Sequence, residues 1–302
     1  MIATYPDFSK LDLDHMGEIR DFVAQFEPYS DFNFTSIFCW NTDGTTEVSH
    51  LNGNLVIRMP DYLDGHLLYS VLGSNQIEAT VQELLEVASK LELIPEAVAN
   101  VLHKHPDYKI IEDEDSFDYT YDMSHLIDMP GSKFKKKRNK ANVFVKDHEH
   151  YELTVQSYTT LDTQHADKIR ALDREWAEQH SRDEGDILPE RTALDTLLTN
   201  FNALNLVITE VLVNNEIKAF SINEVLGDGY AICHFEKALT THHQNIFTFL
   251  VIQVAKELAS LGCNKVNWEQ DLGLPGLRRA KSSYHPIRML KKYTISLHEL
   301  AG

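Results

Sequence analysis

Six of the 28 basic side chains lie within eight residues, in the stretch KFKKKRNK at positions 133–140. The chain as a whole is acidic, with 46 Asp and Glu residues and a formal net charge of −18. A local group of lysines in an acidic protein is typical of a surface that binds an anionic ligand, because phosphates are held mainly by Lys and Arg. The stretch also fits a solvated helix face whose lysines pair with acids such as the Glu-Asp-Glu-Asp run at 112–115.

The spacing of these residues predicts an amphipathic helix that is capped by Ser132 and runs to about His148. Apolar and aromatic positions recur on one face, which we expect to pack inward with Arg138. Lysines recur on the other face at i, i+3, i+4 and i+7. The residues of this helix that we predict to bind an anionic donor are Lys133, Lys136, Lys137, Arg138, Asn139, Lys140 and Asn142.

A second segment without acids, at 277–293, carries the cations Arg278, Arg279, Lys281, Arg288, Lys291 and Lys292. Two basic segments in an acidic chain indicate that positive charge is segregated. We therefore expect the two segments to converge in space around one anionic ligand, with Arg278, Arg279 and Lys281 as further donor-binding residues.

Composition limits the class of protein. A chain of 302 residues with 43% hydrophobic residues is long enough for two domains with sizeable cores. Three widely spaced cysteines argue against a disulfide framework and for a reducing compartment. The N-terminus has no signal-peptide pattern, and the most apolar helix candidate, at 245–262, is interrupted by Gln253, Lys256 and Glu257. We therefore expect a cytoplasmic protein without a transmembrane segment; the sequence leaves the oligomeric state open.

Hydrophobic periodicity predicts an α+β chain with a similar element order in each half. In the first half, an Asn-Gly pair at 52–53 predicts a hairpin, a helix is predicted over 77–91, and 109–126 is predicted to be extended. In the second half, three strands form a meander that is followed by a helix and a strand. We predict an N-terminal unit at 1–130, a basic linking helix at 131–150 and a C-terminal unit at 151–302.

The element order of the second half resembles the GNAT-type N-acyltransferase fold, and three local motifs are more specific. They are SDFNFTSIFCW (30–40), LIDMPGSKFKKKRNKANVF (126–144) and VNWEQDLGLPGLRRAKSSYHPIRMLKKYT (266–294). Together they resemble the family that includes the C-terminal synthase domain of lysylphosphatidylglycerol synthases. The resemblance extends over nearly the whole chain, although Trp268 stands where the family has an arginine.

This resemblance implies two tandem GNAT-like units, each a mostly antiparallel mixed sheet flanked by helices, as also in Fem-type aminoacyltransferases. Family members of known activity move an aminoacyl group from a charged tRNA to a lipid head group. The resemblance implies a standalone relative without the membrane-spanning part of the full-length synthases. The implied donor is aminoacyl-tRNA, and the acceptor is a lipid head group or a small molecule with an amine or hydroxyl.

Aminoacyl transfer requires a proton acceptor, a group that stabilises the oxyanion and a proton donor for the leaving ribose. Within the GNAT-like frame, backbone N–H groups around 234–237 would stabilise the oxyanion. Glu269 and Asp271 would serve as general base or orient the acceptor, and Tyr284 would protonate the leaving oxygen. Alternatively, the two acids hold Arg278 and Arg279 in place, and Tyr284 is a packing residue.

Two other functions remain open. An acyl-CoA-dependent N-acyltransferase would act on a small amine, but the stretch KALTTHHQNIF (237–247) has no glycine in the position of the usual pyrophosphate-binding loop. A non-catalytic binding protein of the same fold is the second alternative. The close histidine pairs lack the spacing of a catalytic zinc site, so no metal is predicted, and no cofactor is certain.

Overall fold

The computed structural model of the protein describes residues 1–180 and 184–298. Over these residues the strands, in chain order, are β1 (Ala3–Thr4), β2 (Ser9–Lys10), β3 (Glu47–Leu51), β4 (Asn54–Pro60), β5 (Leu67–Leu72), β6 (Leu91–Pro95), β7 (Tyr108–Glu112), β8 (Asp118–Asp122), β9 (Leu153–Tyr158), β10 (Leu206–Val213), β11 (Glu216–Val225), β12 (Tyr230–Ala238), β13 (Lys265–Asn267), β14 (Arg288–Leu290) and β15 (Lys292–Leu297). The helices are α1 (Met16–Val23), α2 (Phe34–Cys39), α3 (Ile77–Leu85), α4 (Glu96–Leu102), α5 (Met123–Asp128), α6 (Lys135–Asp147), α7 (Thr163–Gln179), α8 (Glu184–Thr199), α9 (Ile246–Ser260) and α10 (Pro275–Ser282).

The chain forms two compact units. Unit 1 comprises Met1–Tyr119, Glu269–Lys281 and the described chain from Arg288 onward. Unit 2 comprises Thr120–Trp268 and Ser282–Ile287.

The residue ranges of these two units differ from the predicted division of the chain at 130 and 150. The difference arises because β15, near the C-terminus, is a strand of unit 1, where it pairs antiparallel with both β6 and β7. The predicted linking helix 131–150 corresponds to α6, which is part of unit 2.

Unit 1 contains a five-stranded sheet in the order β1-β3-β4-β5, with β2 paired to β3, and the three-stranded sheet β6-β15-β7. The predicted hairpin is confirmed: Leu51 pairs with Asn54, and the turn residues Asn52 and Gly53 have φ values of 53° and 77°. Both turn residues therefore adopt the left-handed conformation that an Asn-Gly turn favours. Helices α3 and α4 and strands of both sheets share one buried cluster, which includes Val81, Val98 and Ile295.

Unit 2 is built on a sheet in which Thr120–Asp122 of β8 is followed by β13, β12, β11, β10 and β9. The predicted meander is confirmed, since β10, β11 and β12 pair antiparallel. Helix α9 then returns the chain so that β13 runs parallel to β12. The pairing of β12 with β13 covers Tyr230 to Ile232, whereas β12 continues to Ala238.

A β-bulge interrupts β12. Ile222 of β11 pairs with Phe235, but the next residue, Asn223, pairs with Cys233, so that His234 is the extra residue. A bulge bends a strand and redirects its side chains, and such bulges are frequent next to functional sites.

Helices cover both faces of the unit 2 sheet. The buried side chains of α9, including Phe249, Leu250 and Val254, pack toward β10, β11 and β12. Helix α7 also contacts β11 and β12. Lys237 of β12 contacts Trp176 of α7, which indicates that the preceding residue, Glu236, points to the opposite face, toward α9.

Two predicted segments differ from the structure. The helix predicted over 77–91 ends at Leu85, and Leu91–Pro95 forms strand β6 because these residues pair with β15. The segment predicted to be extended over 109–126 contains β7 and β8, but Met123–Asp128 forms helix α5, which the side chain of Asp122 caps. Among the helices described, none combines the length and the apolar character that crossing a bilayer requires.

Candidate functional site

Three lysines of the predicted basic stripe are exposed on or next to α6. Lys133 precedes the helix, Lys136 and Lys140 lie within it, and each side chain faces solvent. They follow one another at spacings of three and four residues, which places helical positions on one face. We call this group of three the lysine face.

The start of α6 differs from the prediction. Phe134, not Ser132, occupies the capping position, and no side chain caps the helix. The Phe134 ring is fully buried and packs edge-to-face on His285, with 5.0 Å between ring centroids. The predicted cap at Ser132 is therefore wrong: packing of Phe134 positions this end, and Ser132 contributes only its carbonyl, which accepts from the Lys135 N–H at 3.1 Å.

Lys137, predicted to lie on the stripe, is half-buried. Its Nζ lies 3.4 Å from the centroid of the Tyr284 ring, which is the geometry of a cation–π contact. Tyr284 is 3% exposed and packs edge-to-face on Trp268, with 5.1 Å between centroids. The structure thus brings together Lys137, predicted to bind the donor, and Tyr284, predicted to be catalytic.

The environment of this pair changes the proton affinity of both groups. Burial, together with the smaller effect of the charge of Lys140, lowers the pKa of Lys137 to about 8. At pH 7 about a tenth of the Lys137 side chains are therefore in the neutral amine form. Burial raises the pKa of Tyr284, so its phenol stays protonated, and its oxygen lies 3.5 Å from Oγ1 of Thr248 in the first turn of α9. The pair offers one proton acceptor and one hydrogen-bond donor.

The end of β12 lies near the same tyrosine. Burial is the main cause of the raised pKa of Tyr284, and the negative charge of Glu236 adds to it. The loop that follows β12 contains no glycine before α9 begins, and Asn245 precedes the helix with a φ of 69°. Lys137, Tyr284, Thr248 and Glu236 therefore form the candidate active site of unit 2.

Three other predicted residues of α6 have different surroundings. Arg138 donates hydrogen bonds to the carbonyl oxygens of Met129 and Gly131, the latter at 2.8 Å, and so holds the loop that precedes the helix. This geometry favours a structural role for Arg138 over the predicted contact with a donor. Asn139 and Asn142 are exposed, and their predicted role stays a prediction.

Lys237, whose side chain is 2% exposed, is a buried cation that the sequence does not predict as a site residue. Its Nζ lies 2.9 Å from Oε1 of Glu190, 3.4 Å from Oδ1 of Asp173 and 3.4 Å from the centroid of the Trp176 ring. A buried lysine requires such partners because an unpaired charge is costly in an apolar interior. The available signal was a lysine in the largely buried strand YAICHFEKA.

In unit 1, Asp271 is fully buried and its carboxylate accepts hydrogen bonds from three residues. It accepts from the Tyr119 hydroxyl at 2.5 Å, from Arg278 Nε at 2.8 Å and from the Gly273 N–H at 2.8 Å. Burial raises the pKa of Asp271, but the bonds from Arg278, Tyr119 and Gly273 outweigh burial and leave the pKa below its ordinary value. An acid held in this way is a poor proton acceptor, so the geometry favours the alternative role of holding Arg278.

Glu269, the other predicted general base, is half-buried in unit 1. Its φ of 57° lies in the left-handed region, which costs about 1–2 kcal/mol for a residue with a Cβ. Its carboxylate accepts from the Ser36 hydroxyl at 3.0 Å, and its carbonyl accepts from the Tyr119 N–H at 3.2 Å. Its role as a base stays a prediction.

The predicted cations of the second basic segment are mostly engaged within unit 1. Arg278 also pairs with Asp115 at 2.6 Å, and Lys281 Nζ donates to the carbonyl oxygens of Glu269 and Gln270 at 3.1 Å and 2.6 Å. These contacts favour structural roles for Arg278 and Lys281 over the predicted donor binding. Arg279 is exposed. Since the lysine face is in unit 2, convergence of the two basic segments stays a prediction.

A buried charge cluster around Lys292 was also missed. The ammonium is fully buried, forms ion pairs with Asp31 and with Asp118, the latter at 2.7 Å, and donates to Gln270 Oε1 at 2.9 Å. Ser30 donates to Asp118 through both its N–H and its hydroxyl. The motif SDFNFTS thus supplies buried partners for the C-terminal strand β15.

One group of possible metal ligands has three donor atoms close together in the described part of the chain. Asp61, Asp64 and His66 place ligand atoms within 4.8 Å of one another near the β4–β5 turn. His66 already bonds to Asp64 and, at 2.8 Å, to Glu92. These contacts stabilise the turn without a metal ion, so the group is no more than a surface cluster.

Comparison with solved structures confirms the predicted α+β fold of tandem GNAT-like units. A conserved protein of unknown function from Bacteroides thetaiotaomicron is 27% identical, with 99% of this chain and 100% of that chain covered and a TM-score of 0.83. The C-terminal domain of a putative lysylphosphatidylglycerol synthetase from Agrobacterium fabrum is 13% identical, with 96% and 93% covered and a TM-score of 0.65. FemX is 10% identical, with 97% of each chain covered and a TM-score of 0.61.

No curated protein sequence matches the chain. The sequence model described as "Phosphatidylglycerol lysyltransferase, C-terminal" matches residues 23–296, which include all three motifs quoted above. The chain therefore belongs to the family of phosphatidylglycerol lysyltransferase C-terminal domains.

Proposed function

We propose that the protein transfers an aminoacyl group from aminoacyl-tRNA to a hydroxyl or amine acceptor, and that the reaction takes place at Lys137 and Tyr284 in unit 2. The family and the fold support a role in acyl transfer. The observation that carries the proposal is the position of the Lys137 ammonium, 3.4 Å from the ring centroid of a buried tyrosine. Partial burial leaves this lysine with a pKa of about 8.

A general base works best when its pKa lies near the working pH. In its amine form, Lys137 takes the proton of the acceptor as the acceptor atom bonds to the aminoacyl carbonyl carbon. The tetrahedral intermediate then breaks its bond to the ribose oxygen. The ammonium of Lys137 returns the proton to that oxygen, so the lysine is again a neutral amine at the end of the cycle.

Tyr284 has a complementary role. Its raised pKa keeps the hydroxyl protonated, so it donates a hydrogen bond and does not act as a base. A fixed donor in a site sheltered from water stabilises the negative charge that develops on the carbonyl oxygen. In the structure this hydroxyl donates to Oγ1 of Thr248 at 3.5 Å, so it must turn from Thr248 to reach the carbonyl oxygen of the substrate.

The lysine face supplies the contact with the donor. Three exposed ammonium groups, two on the same helix as Lys137 and one just before it, attract the phosphates of a tRNA acceptor stem. The remainder of the chain is strongly acidic and repels nucleic acid elsewhere. This distribution favours docking of a polyanion beside Lys137.

Acyl-CoA is a weaker candidate for the donor. The loop between β12 and α9, at 239–245, has no glycine and carries two histidines. Close approach of backbone N–H groups to a pyrophosphate usually depends on glycine.

The proposal is tested with aminoacyl-tRNA charged with labelled amino acids and with vesicles that contain phosphatidylglycerol as the first acceptor. We expect label to move to the acceptor with the wild-type protein and to fall by at least about a hundredfold with Lys137→Met, the magnitude typical of a lost general base. The variant Lys146→Met is the matched control, because Lys146 is an exposed lysine at the other end of α6. Transfer from acyl-CoA without transfer from aminoacyl-tRNA, or full activity of Lys137→Met, would contradict the proposal.

A further inference from the structure

A cavity of about 540 Å³ lies in unit 2 at the end of α6, away from the features used in the proposed reaction. Its walls come from the end of α6, the β10–β11 turn and the loop before α9. The side chains that carry charge or a lone pair suited to a metal include Asp147, His148, Glu216, Lys218, His242 and His243.

Two of these histidines direct ring nitrogens at each other. Nε2 of His148 and Nδ1 of His243 are 2.9 Å apart. The other ring nitrogen of His148, Nδ1, lies 2.8 Å from the carbonyl oxygen of Phe144 and must donate a proton to it. In neutral His148, Nε2 therefore accepts a hydrogen bond from the Nδ1–H of His243. A metal ion bound by both nitrogens would replace this proton, and His243 would then carry its proton on Nε2.

This hydrogen-bond pattern is the one that metal-binding histidines adopt. A histidine ligand nearly always donates its second ring N–H to a carbonyl or carboxylate, which fixes the tautomer and the orientation of the ring. His148 has this second bond and is 6% exposed, so its position is fixed by packing as well. It stacks between Phe144 and Tyr151, with centroid distances of 4.2 Å and 5.5 Å.

The distance between the nitrogens also fits. Metal–nitrogen bonds to histidine are about 2.0–2.1 Å long, so two nitrogens 2.9 Å apart would subtend an angle of about 90° at a shared ion. This angle is that of adjacent ligands in square-planar or octahedral coordination, which Ni²⁺ and Cu²⁺ prefer. A tetrahedral Zn²⁺ site would need the nitrogens to separate to about 3.4 Å.

The charge of the cavity favours a cation over an anion. Asp147 and Glu216 carry two negative charges, and Lys218 carries one positive charge that Glu216 neutralises at 2.7 Å. Histidine binds a metal ion as the neutral imidazole. Asp147 and His242 are exposed side chains on the cavity wall that can rotate to complete the coordination.

We propose that His148 and His243 form the core of a binding site for a divalent transition-metal ion with a preference for Ni²⁺ or Cu²⁺. The site rests on the cavity and the histidine geometry and does not depend on the proposed aminoacyl transfer. Nε2 of His148 and Nδ1 of His243 occupy adjacent positions, and Asp147, His242 or water fill the others.

The test is isothermal titration of the untagged full chain with NiCl₂ and with ZnCl₂, because a polyhistidine tag would bind the same ions. We expect one Ni²⁺ per chain, bound more tightly than Zn²⁺, and a Kd at least about tenfold weaker in His243→Gln. His243 is only half-buried, so this variant is expected to fold. His148→Gln should weaken Ni²⁺ binding to the same extent. Because His148 is buried, the melting temperature of this variant without metal shows whether the protein still folds.

The matched control is His66→Gln, which removes a histidine from the exposed cluster of Asp61, Asp64 and His66. Unchanged Ni²⁺ binding in this control supports the cavity site. The proposal is overturned if Ni²⁺ does not bind, if binding survives in His243→Gln, or if it is lost in His66→Gln. Stabilisation of the chain by inorganic phosphate but not by Ni²⁺ would likewise overturn it, since the cavity would then be an anion site.

Discussion

The Nζ atom of Lys137 lies 3.4 Å from the ring centroid of Tyr284, so a lysine from the basic helix sits directly on a buried aromatic ring. This contact separates Lys137 from the lysine face, although all four lysines follow the same helical spacing. The lysine face remains solvated and charged, whereas Lys137 is partly desolvated. One short helix thus carries two kinds of lysine that respond differently to pH and to salt.

Lys137 should titrate well below the other lysines. Because its pKa is lowered to about 8, its ammonium should lose a proton between pH 7 and pH 9, whereas an ordinary lysine does so near 10.4. Reductive ¹³C-methylation followed by NMR titration should show one lysine resonance with this low midpoint. The resonance should be absent in Lys137→Arg and present in Lys146→Arg. If every lysine titrates near 10, the environment described for Lys137 is wrong.

The same shift predicts a pH effect on stability. Between pH 8 and the pKa that Lys137 has in the unfolded chain, the unfolded state binds more protons at this side chain than the folded state does. The contribution of Lys137 to the free energy of unfolding therefore rises with pH. Replacing Lys137 with Met should therefore flatten this part of the stability curve. The free energy of unfolding, measured in urea from pH 7 to pH 10, tests this expectation. A variant with the same slope as the wild type would count against it.

Charge reversal of the lysine face should weaken tRNA binding strongly without unfolding the protein. Lys133, Lys136 and Lys140 are exposed, so the triple change to Glu should leave the melting temperature within a few degrees of the wild type. Loss of three phosphate contacts should reduce the slope of log K against log salt by about 2–3. Fluorescence titration with labelled tRNA at several salt concentrations measures both quantities.

The control for this experiment reverses three exposed lysines elsewhere, at Lys104, Lys109 and Lys146. It changes the net charge by the same amount but leaves the lysine face intact. If both triple variants weaken tRNA binding equally, total charge governs the interaction and the lysine face has no special role.

Asp271→Asn should destabilise the protein by about 1–3 kcal/mol at pH 7, because a buried carboxylate with three donors loses its charge. The pKa of Asp271 is lowered, so its contribution is present above the unfolded pKa near 4 and is lost as the pH falls through the folded value. Urea unfolding at pH 7 and pH 3 should show a smaller pH dependence in the variant. Asp115→Asn, which alters an exposed partner of the same Arg278, should cost less than about 1 kcal/mol.

Lys292→Met should be more damaging than the same change at the neighbouring Lys291. Without the ammonium of Lys292, Asp31 and Asp118 would remain buried without a cation, which typically costs about 3–5 kcal/mol. Lys291 pairs with Glu112 at the surface, and that pair is worth less than about 1 kcal/mol. Denaturant midpoints of the two variants should differ accordingly; similar midpoints would show that the cluster contributes little.

Local chemistry made part of the fold predictable. The Asn52–Gly53 turn could be read from the sequence because the two residue types tolerate the left-handed conformation that the turn requires. Strand β6 could not, because Leu91–Pro95 follows a helix of similar apolar character and becomes a strand only by pairing with β15, which lies far along the chain. Local propensity is silent on such pairing.

The candidate site was predictable to a similar extent. Helical spacing identified Lys137 and its neighbours as one basic group, but it could not show that Tyr284 covers one edge of the helix. The buried partners of Lys292 are equally distant in sequence, at Asp31 and Asp118. Side chains that meet only through tertiary packing leave no periodic pattern in the sequence. These are the side chains whose pKa differs most from the ordinary value.

Strand β15 lies in the middle of the sheet β6-β15-β7, although it is the last strand of the described chain. During translation, β6 and β7 leave the ribosome long before the strand that must be inserted between them. Nascent unit 1 therefore exposes two open strand edges until β15 has been synthesised, while Thr120–Trp268 of unit 2 is already available to fold. Chaperones that bind extended segments would be expected to protect this interval.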